Sequence, residues 1–113
     1  MPIEVLNADN LAEFESNQDR VLILGKSDCQ NCKNWQAELN EAMEGGQFEA
    51  PVPIGKLDLD QRGLGDFKKG NPWLLEVKDL PFNVIYRGGE IQKSYAGGGL
   101  ERLTNRLARL ELG

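Results

Sequence analysis

The chain has 113 residues, about the size of one ordinary domain, and its hydrophobic share of 40% supports a compact core. A formal net charge of −5 argues against general nucleic-acid binding, which needs a basic face. With no histidine and two cysteines, no Ser-His-Asp triad or Cys-His pair is possible, and one chain cannot supply the four Cys or His ligands of a structural zinc site.

Ile3, Val5 and Leu6 form a short apolar start, expected as an edge strand. The opening MPIEVLNADN has no basic region and no apolar signal core, and no later run is long enough to span a bilayer. A cytoplasmic location is the expectation, and there a disulfide is catalytic or transient rather than structural. Leu11 and Phe14, three apart among acids, predict a short amphipathic helix within 7–16, capped by Asn7 or Asp9. Val21-Leu22-Ile23-Leu24 is a continuous apolar run, as in a strand buried on both faces. After the break at 25–28, a helix is predicted from about Gln30 to Met43, with Trp35, Leu39 and Met43 on its buried side and Gly45-Gly46 at its end. By this spacing Trp35 belongs to the core, and Glu38, Glu41, Glu44 and Glu49 to solvated surface.

Residues 52–59 read as a second central strand, and 61–69 as a short helix or a turn-rich loop. Gly70-Asn71-Pro72 is a breaker. Residues 73–77 fit either a short helix or a loop, and Trp73 fits either the core or a substrate contact. Phe82 to Tyr86 is a strand, and Arg87-Gly88-Gly89-Glu90 signals a hairpin to a partner strand over 91–95. Gly97-Gly98-Gly99 opens a last helix with Leu100, Leu103, Leu107 and Leu110 at helical spacing. Residues 1–113 thus read as a single α/β domain: a mixed central sheet of four to five strands with helices on both faces.

The stretch SDCQNCK holds both cysteines, Cys29 and Cys32. Residues three apart within a helix have Cβ atoms about 5–6 Å apart, whereas a disulfide needs about 3.5–4.5 Å. A pair straddling a helix start closes more easily, because the first cysteine is not yet helical. The helix N-terminus stabilises a thiolate there. Lys26 and Lys33 add to that effect and Asp28 opposes it. Cys29, the more exposed, is the expected nucleophile, and Cys32 the resolving thiol. The polar flanks Ser27, Asp28, Gln30, Asn31, Lys33 and Asn34 argue against two buried, inert cysteines.

The chain resembles the thioredoxin superfamily over nearly its whole length. VLILGKSDCQNCK is similar to that family's second strand and active-site motif, GKLDLDQ to its central strand, and EVKDLPFNVIYRGGEI to its cis-proline, strand and hairpin. The resemblance implies that Pro81 is cis and faces the cysteines, and that Leu80 offers backbone groups to an extended peptide substrate. It implies a thiol-disulfide oxidoreductase that reduces or exchanges disulfides through a mixed disulfide. No cofactor or metal is expected. The expected partners are disulfide-containing proteins or small-molecule thiols and disulfides, with a reductase or glutathione for recycling. Neither nucleic acid nor membrane is an expected partner, and the protein is expected to be a monomer. Two other readings remain open on the residues alone: a binding or adaptor module on the same fold, and a metal-bridged dimer through two CxxC pairs.

The sequence departs from the thioredoxin pattern at informative places. Asp28 stands in place of Trp before the first cysteine, and Gln30-Asn31 in place of Gly-Pro. Gly25-Lys26-Ser27 is closer to glutaredoxins, and the segment before Pro81 is long. Ile23 stands where thioredoxins carry a buried acid, while its usual neighbour, Lys56, is present. Lys56 is therefore expected to reach solvent or to pair with Asp58. Without the acid, resolution by Cys32 is expected to depend on water and to speed up with pH.

Overall fold

The computed structural model describes residues 3–112. The strands are β1 (Glu4–Leu6), β2 (Arg20–Gly25), β3 (Ile54–Asp58), β4 (Phe82–Arg87) and β5 (Glu90–Ala96), and the α-helices are α1 (Leu11–Glu15), α2 (Gln30–Glu44), α3 (Gly65–Gly70) and α4 (Leu100–Arg109). A 3₁₀ helix, Pro72–Glu76, lies between α3 and β4. The five strands form one sheet in the order β1-β3-β2-β4-β5. β1, β3 and β2 run parallel, and the β4–β5 hairpin is antiparallel to them. This is the expected mixed sheet with helices on both faces. Among the described residues no helix is long and apolar enough to cross a membrane.

β2 is the axis of the molecule, and all six of its residues are buried. Its side chains alternate between two cores, as strand geometry requires. Val21 and Ile23 join Trp35, Leu39 and Ala42 of α2 and Leu103 and Leu107 of α4. Leu22 and Leu24 join Leu11 and Phe14 of α1, Leu64, and Phe67 of α3. Burying each such aliphatic side chain stabilises the fold by about 1.5–3 kcal/mol. In α4 only Leu103 and Leu107 are fully enclosed, while Leu100 and Leu110 pack at the margin.

Two local details differ from the sequence-based expectation. α1 begins at Leu11 and its N-cap is Asn10, without a side-chain cap. Asn7 instead accepts hydrogen bonds from the Asp9 and Asn10 N–H groups at 2.8 and 3.1 Å, and Asn10 Oδ1 accepts from Asn7 N–H at 2.7 Å. The two asparagines lock a turn ahead of the helix, which shortens it. In α2, Met43 is only partly buried and Ala42 takes the inner position, because a spacing of four drifts around a helix with 3.6 residues per turn.

The 3₁₀ helix accounts for the ambiguity at 73–77. Trp73 is half-buried against the second core, its ring centroid 6.4 Å from that of Phe82, and its indole N–H donates to Asn71 Oδ1 at 3.2 Å. Leu75 projects outward at 91% exposure. Trp73 thus covers the sheet face opposite the one that carries α2.

Candidate active site

The polar break after β2 brings the chain out of the core, and α2 starts at once. Cys29 is the N-cap of α2, with extended backbone (φ −90°, ψ 108°). Its sulfur accepts a hydrogen bond from the Cys32 N–H at 3.2 Å. Because Cys29 is not helical, the two Cα atoms are 5.3 Å apart and the pair is joined as a disulfide. The Cys32 N–H at the helix start therefore points at Cys29 Sγ, where it and the helix dipole stabilise negative charge. Cys29 is partly exposed, whereas Cys32 is fully buried.

Cys32 lies over Gly25, the last residue of β2. A Cβ placed on Gly25 would stand 3.1 Å from Cys32 Sγ and 3.3 Å from Asp58 Oδ1. Gly25 is in register with Asp58, and Ile23 with Lys56. Lys56 is buried and its ammonium lies 3.1 Å from Asp58 Oδ1. Of the two expectations for Lys56, the pairing with Asp58 is the one observed.

On the other side of β2, the Leu80–Pro81 peptide bond is cis. The β2–β4 register ends at Leu24 opposite Phe82, so Gly25 and Pro81 are the next residues on their strands. Pro81 is buried and Leu80 half-buried. The Pro81 carbonyl accepts from the Gly97 N–H at 2.8 Å, which holds the glycine-rich loop beside it. Gly98 lies flat on the Trp35 indole, where an added Cβ would approach ring atoms at 3.3 Å. The glycines thus both flank Pro81 and let the loop close onto α2.

Lys26 and Lys33 are exposed, and neither forms an ion pair among the described residues. The loop that carries Lys26 is fixed by an acid the sequence reading passed over. Asp60 accepts from the Ser27 hydroxyl, and from the Ser27 N–H at 3.1 and 3.3 Å. The hydroxyl first, then the N–H, hold the Asp60 carboxyl below the usual carboxylate range, and Lys26 adds slightly.

Asn83 was also missed. It is fully buried in β4, accepts from Trp35 Nε1 at 2.8 Å, and donates to the Tyr95 and Gly97 carbonyls at 3.2 and 2.7 Å. The available signal was a lone amide in a strand covered on both faces, which demands partners. Among the described residues, no cluster of three or more His, Cys, Asp or Glu gathers in a way that would hold a metal ion.

No family model matches the sequence, and no curated protein matches it. The fold matches solved thioredoxin structures. Thioredoxin O1 from Arabidopsis thaliana in its oxidized state superposes with a TM-score of 0.70 at 16% identity, over 96% of this chain and 97% of that one. Thioredoxin f from spinach chloroplast, in its long form, gives 0.72 at 17% identity, over 97% and 87%. Thioredoxin from Plasmodium falciparum gives 0.67 at 12% identity, over 96% and 97%. The chain has the thioredoxin fold.

Proposed function

We propose that the protein is a thiol-disulfide oxidoreductase acting through Cys29-Gln30-Asn31-Cys32. The observation that carries this reading is the unequal burial of two bonded sulfurs at a helix mouth: Cys29 half-exposed at the N-cap, Cys32 enclosed beneath it. Such a pair gives substrate one accessible sulfur and keeps the other in reach for an intramolecular attack.

In the reduced protein, the Cys29 thiolate attacks one sulfur of a substrate disulfide. A Cys29–substrate bond forms, and the displaced sulfur leaves as a thiolate. Cys32 Sγ then attacks Cys29 Sγ, the 29–32 bond forms, and the second substrate sulfur leaves. The protein ends oxidised by two electrons and the substrate reduced by two. An external dithiol reductase or a glutathione-type thiol restores the pair.

Substrate docks as an extended segment along Leu80 and Pro81. Supporting this, no internal hydrogen bond engages the Leu80 N–H or carbonyl among the described residues, so both are available to a strand-like partner. Lys26 and Lys33 contribute positive charge around the motif.

The test is reduction of a protein disulfide by the protein with a dithiol as electron source. Wild type is expected to turn over, and Cys29→Ser to fall to the uncatalysed rate. Equal rates for the two proteins would refute the reading in favour of a binding module with idle cysteines.

A further inference from the structure

We propose that Asp58 takes the place of the acid absent at Ile23 and accepts the Cys32 thiol proton when the mixed disulfide is resolved. This rests on the oxidoreductase reading above.

Three observations place Asp58 in this role. First, its Oδ1 and Cys32 Sγ approach the same point, the vacant Cβ position of Gly25, to 3.3 and 3.1 Å. A glycine at this position leaves a gap between acid and thiol that any side chain would fill. Second, Oδ1 is shielded from solvent. Its partner within the protein is the Lys56 ammonium, 3.1 Å away. A carboxylate oxygen has a second lone pair, so a thiol proton delivered across Gly25 can reach it while the ion pair stands. Third, the Asp58 side chain is 30% exposed, whereas Cys32 is sealed. The carboxyl therefore has a route to water that the thiol lacks.

The step balances. With substrate bonded to Cys29, the Cys32 S–H proton passes to the Asp58 carboxylate, directly or through one water. The resulting thiolate attacks Cys29 Sγ, the 29–32 bond forms, and the Cys29–substrate bond breaks with its electron pair on the substrate sulfur. Asp58 then returns its proton to solvent and its charge is again paired with Lys56. Strand register describes the relocation: moving the acid from Ile23 on β2 to Asp58 on β3 shifts it one strand sideways and two paired positions along, to the level of Gly25. On this proposal the acceptor is Asp58 rather than unaided water.

The groups around Asp58 matter for any pH profile. Lys56 shares its strand, Cys32 faces it from α2, and β2 contributes only Gly25 in that row. Gln61 donates to its backbone carbonyl. Asp60 and Lys26 lie further out, where Asp60 is held by Ser27.

The experiment reacts the reduced protein with an aromatic disulfide that releases a coloured thiol. The first release reports attack by Cys29 and the second reports resolution by Cys32. In Asp58→Asn, the ratio of second to first rate at pH 7 is expected to fall about a hundredfold, the low end of proton-transfer catalysis. That ratio is then expected to rise with pH toward the ordinary thiol range near about 8.5. In a Cys29→Ser background, the same substitution removes a nearby negative charge, so the Cys32 thiolate should form at lower pH. The two readouts separate a proton acceptor from a bystander charge: a bystander's removal would speed resolution by raising the thiolate fraction.

An unchanged or increased rate ratio would overturn the proposal, as would an unmoved Cys32 titration. If Asp58→Asn strands Lys56 and unfolds, the double variant Lys56→Met/Asp58→Leu removes the pair together and should show the same fall in ratio. Two clear release phases in a protein that turns over no protein disulfide would refute a protein disulfide as its substrate and leave the Asp58 assignment standing.

Discussion

Trp35 of α2 donates its indole N–H to Asn83 of β4 at 2.8 Å, entirely inside the protein. The same amide holds the Tyr95 and Gly97 carbonyls, so one side chain joins the motif-bearing helix, the hairpin and the loop beside Pro81. Asn83→Leu leaves a buried donor and two carbonyls without this partner. At about 1–3 kcal/mol per unsatisfied group, we expect a loss of about 3 kcal/mol in urea unfolding. A loss under about 0.5 kcal/mol would mean that water replaces the amide.

The unequal burial of the sulfurs predicts an order of reaction. Alkylation of the reduced protein at mildly acidic pH should label Cys29 first. Cys32→Ser should accumulate a mixed disulfide with substrate, and Cys29→Ser should not. Equal trapping by both variants, read by mass spectrometry, would reverse the assignment.

Tyr95 predicts a stabilising substitution. Its hydroxyl is buried without a hydrogen-bond partner, while Arg102 and Arg106 lie over the ring at 4.3 and 4.8 Å from its centroid. Tyr95→Phe keeps the ring and removes the orphaned oxygen, so stability should hold or rise by about 1 kcal/mol. A fall in melting temperature would show that the hydroxyl reaches ordered water.

Stability should depend on pH at both extremes. Burial raises the phenols of Tyr86 and Tyr95 above their ordinary value, with Arg20 opposing it at the first and Arg102 and Arg106 at the second. A raised folded value favours the neutral phenol, so this contribution is whole below about pH 10 and is lost as pH climbs through the folded value. Asp60 works oppositely. Its lowered value contributes stability above the ordinary carboxylate range near about pH 4, lost as pH falls through the folded value. Ser27→Ala should flatten the acid limb alone, as read by unfolding midpoints across pH.

Gly55 is set by packing. A Cβ there would meet Leu6 Cδ1 at 2.7 Å and the Phe14 ring at 2.8 Å. Gly55→Ala should destabilise by about 1–3 kcal/mol through overpacking. A neutral result would show that β1 and α1 shift to make room.

The strand-turn-helix setting of the cysteines was legible because VLIL buries both faces and the next residues are polar. The cost of stranding an ammonium left two places for Lys56, solvent or Asp58, and the structure has the second. What sequence could not give was register. Only the pairing of Gly25 with Asp58 shows that the acid and Cys32 share one gap. Asn83 escaped notice because its partners lie on α2, on β5 and in the glycine-rich loop, which only the tertiary fold brings together. The 3₁₀ turn at 72–76 has no 3.6-residue period and anchors mainly through Trp73 and Leu74, so composition could not identify it.

The sheet divides the molecule into two departments. Trp35 and Asn83 sit with α2 and α4 on one side, as do Gly25, Asp58 and the sulfur of Cys32. The 3₁₀ segment lies with α1 and α3 on the other, and its chain reaches the cysteine side only through residues 77–81. Insertions or trimming near Leu75, which is exposed, would therefore alter that outer surface while leaving the residues around the sulfurs in place. The outer surface of the 3₁₀ segment is therefore free to change while the sulfur site stays as it is.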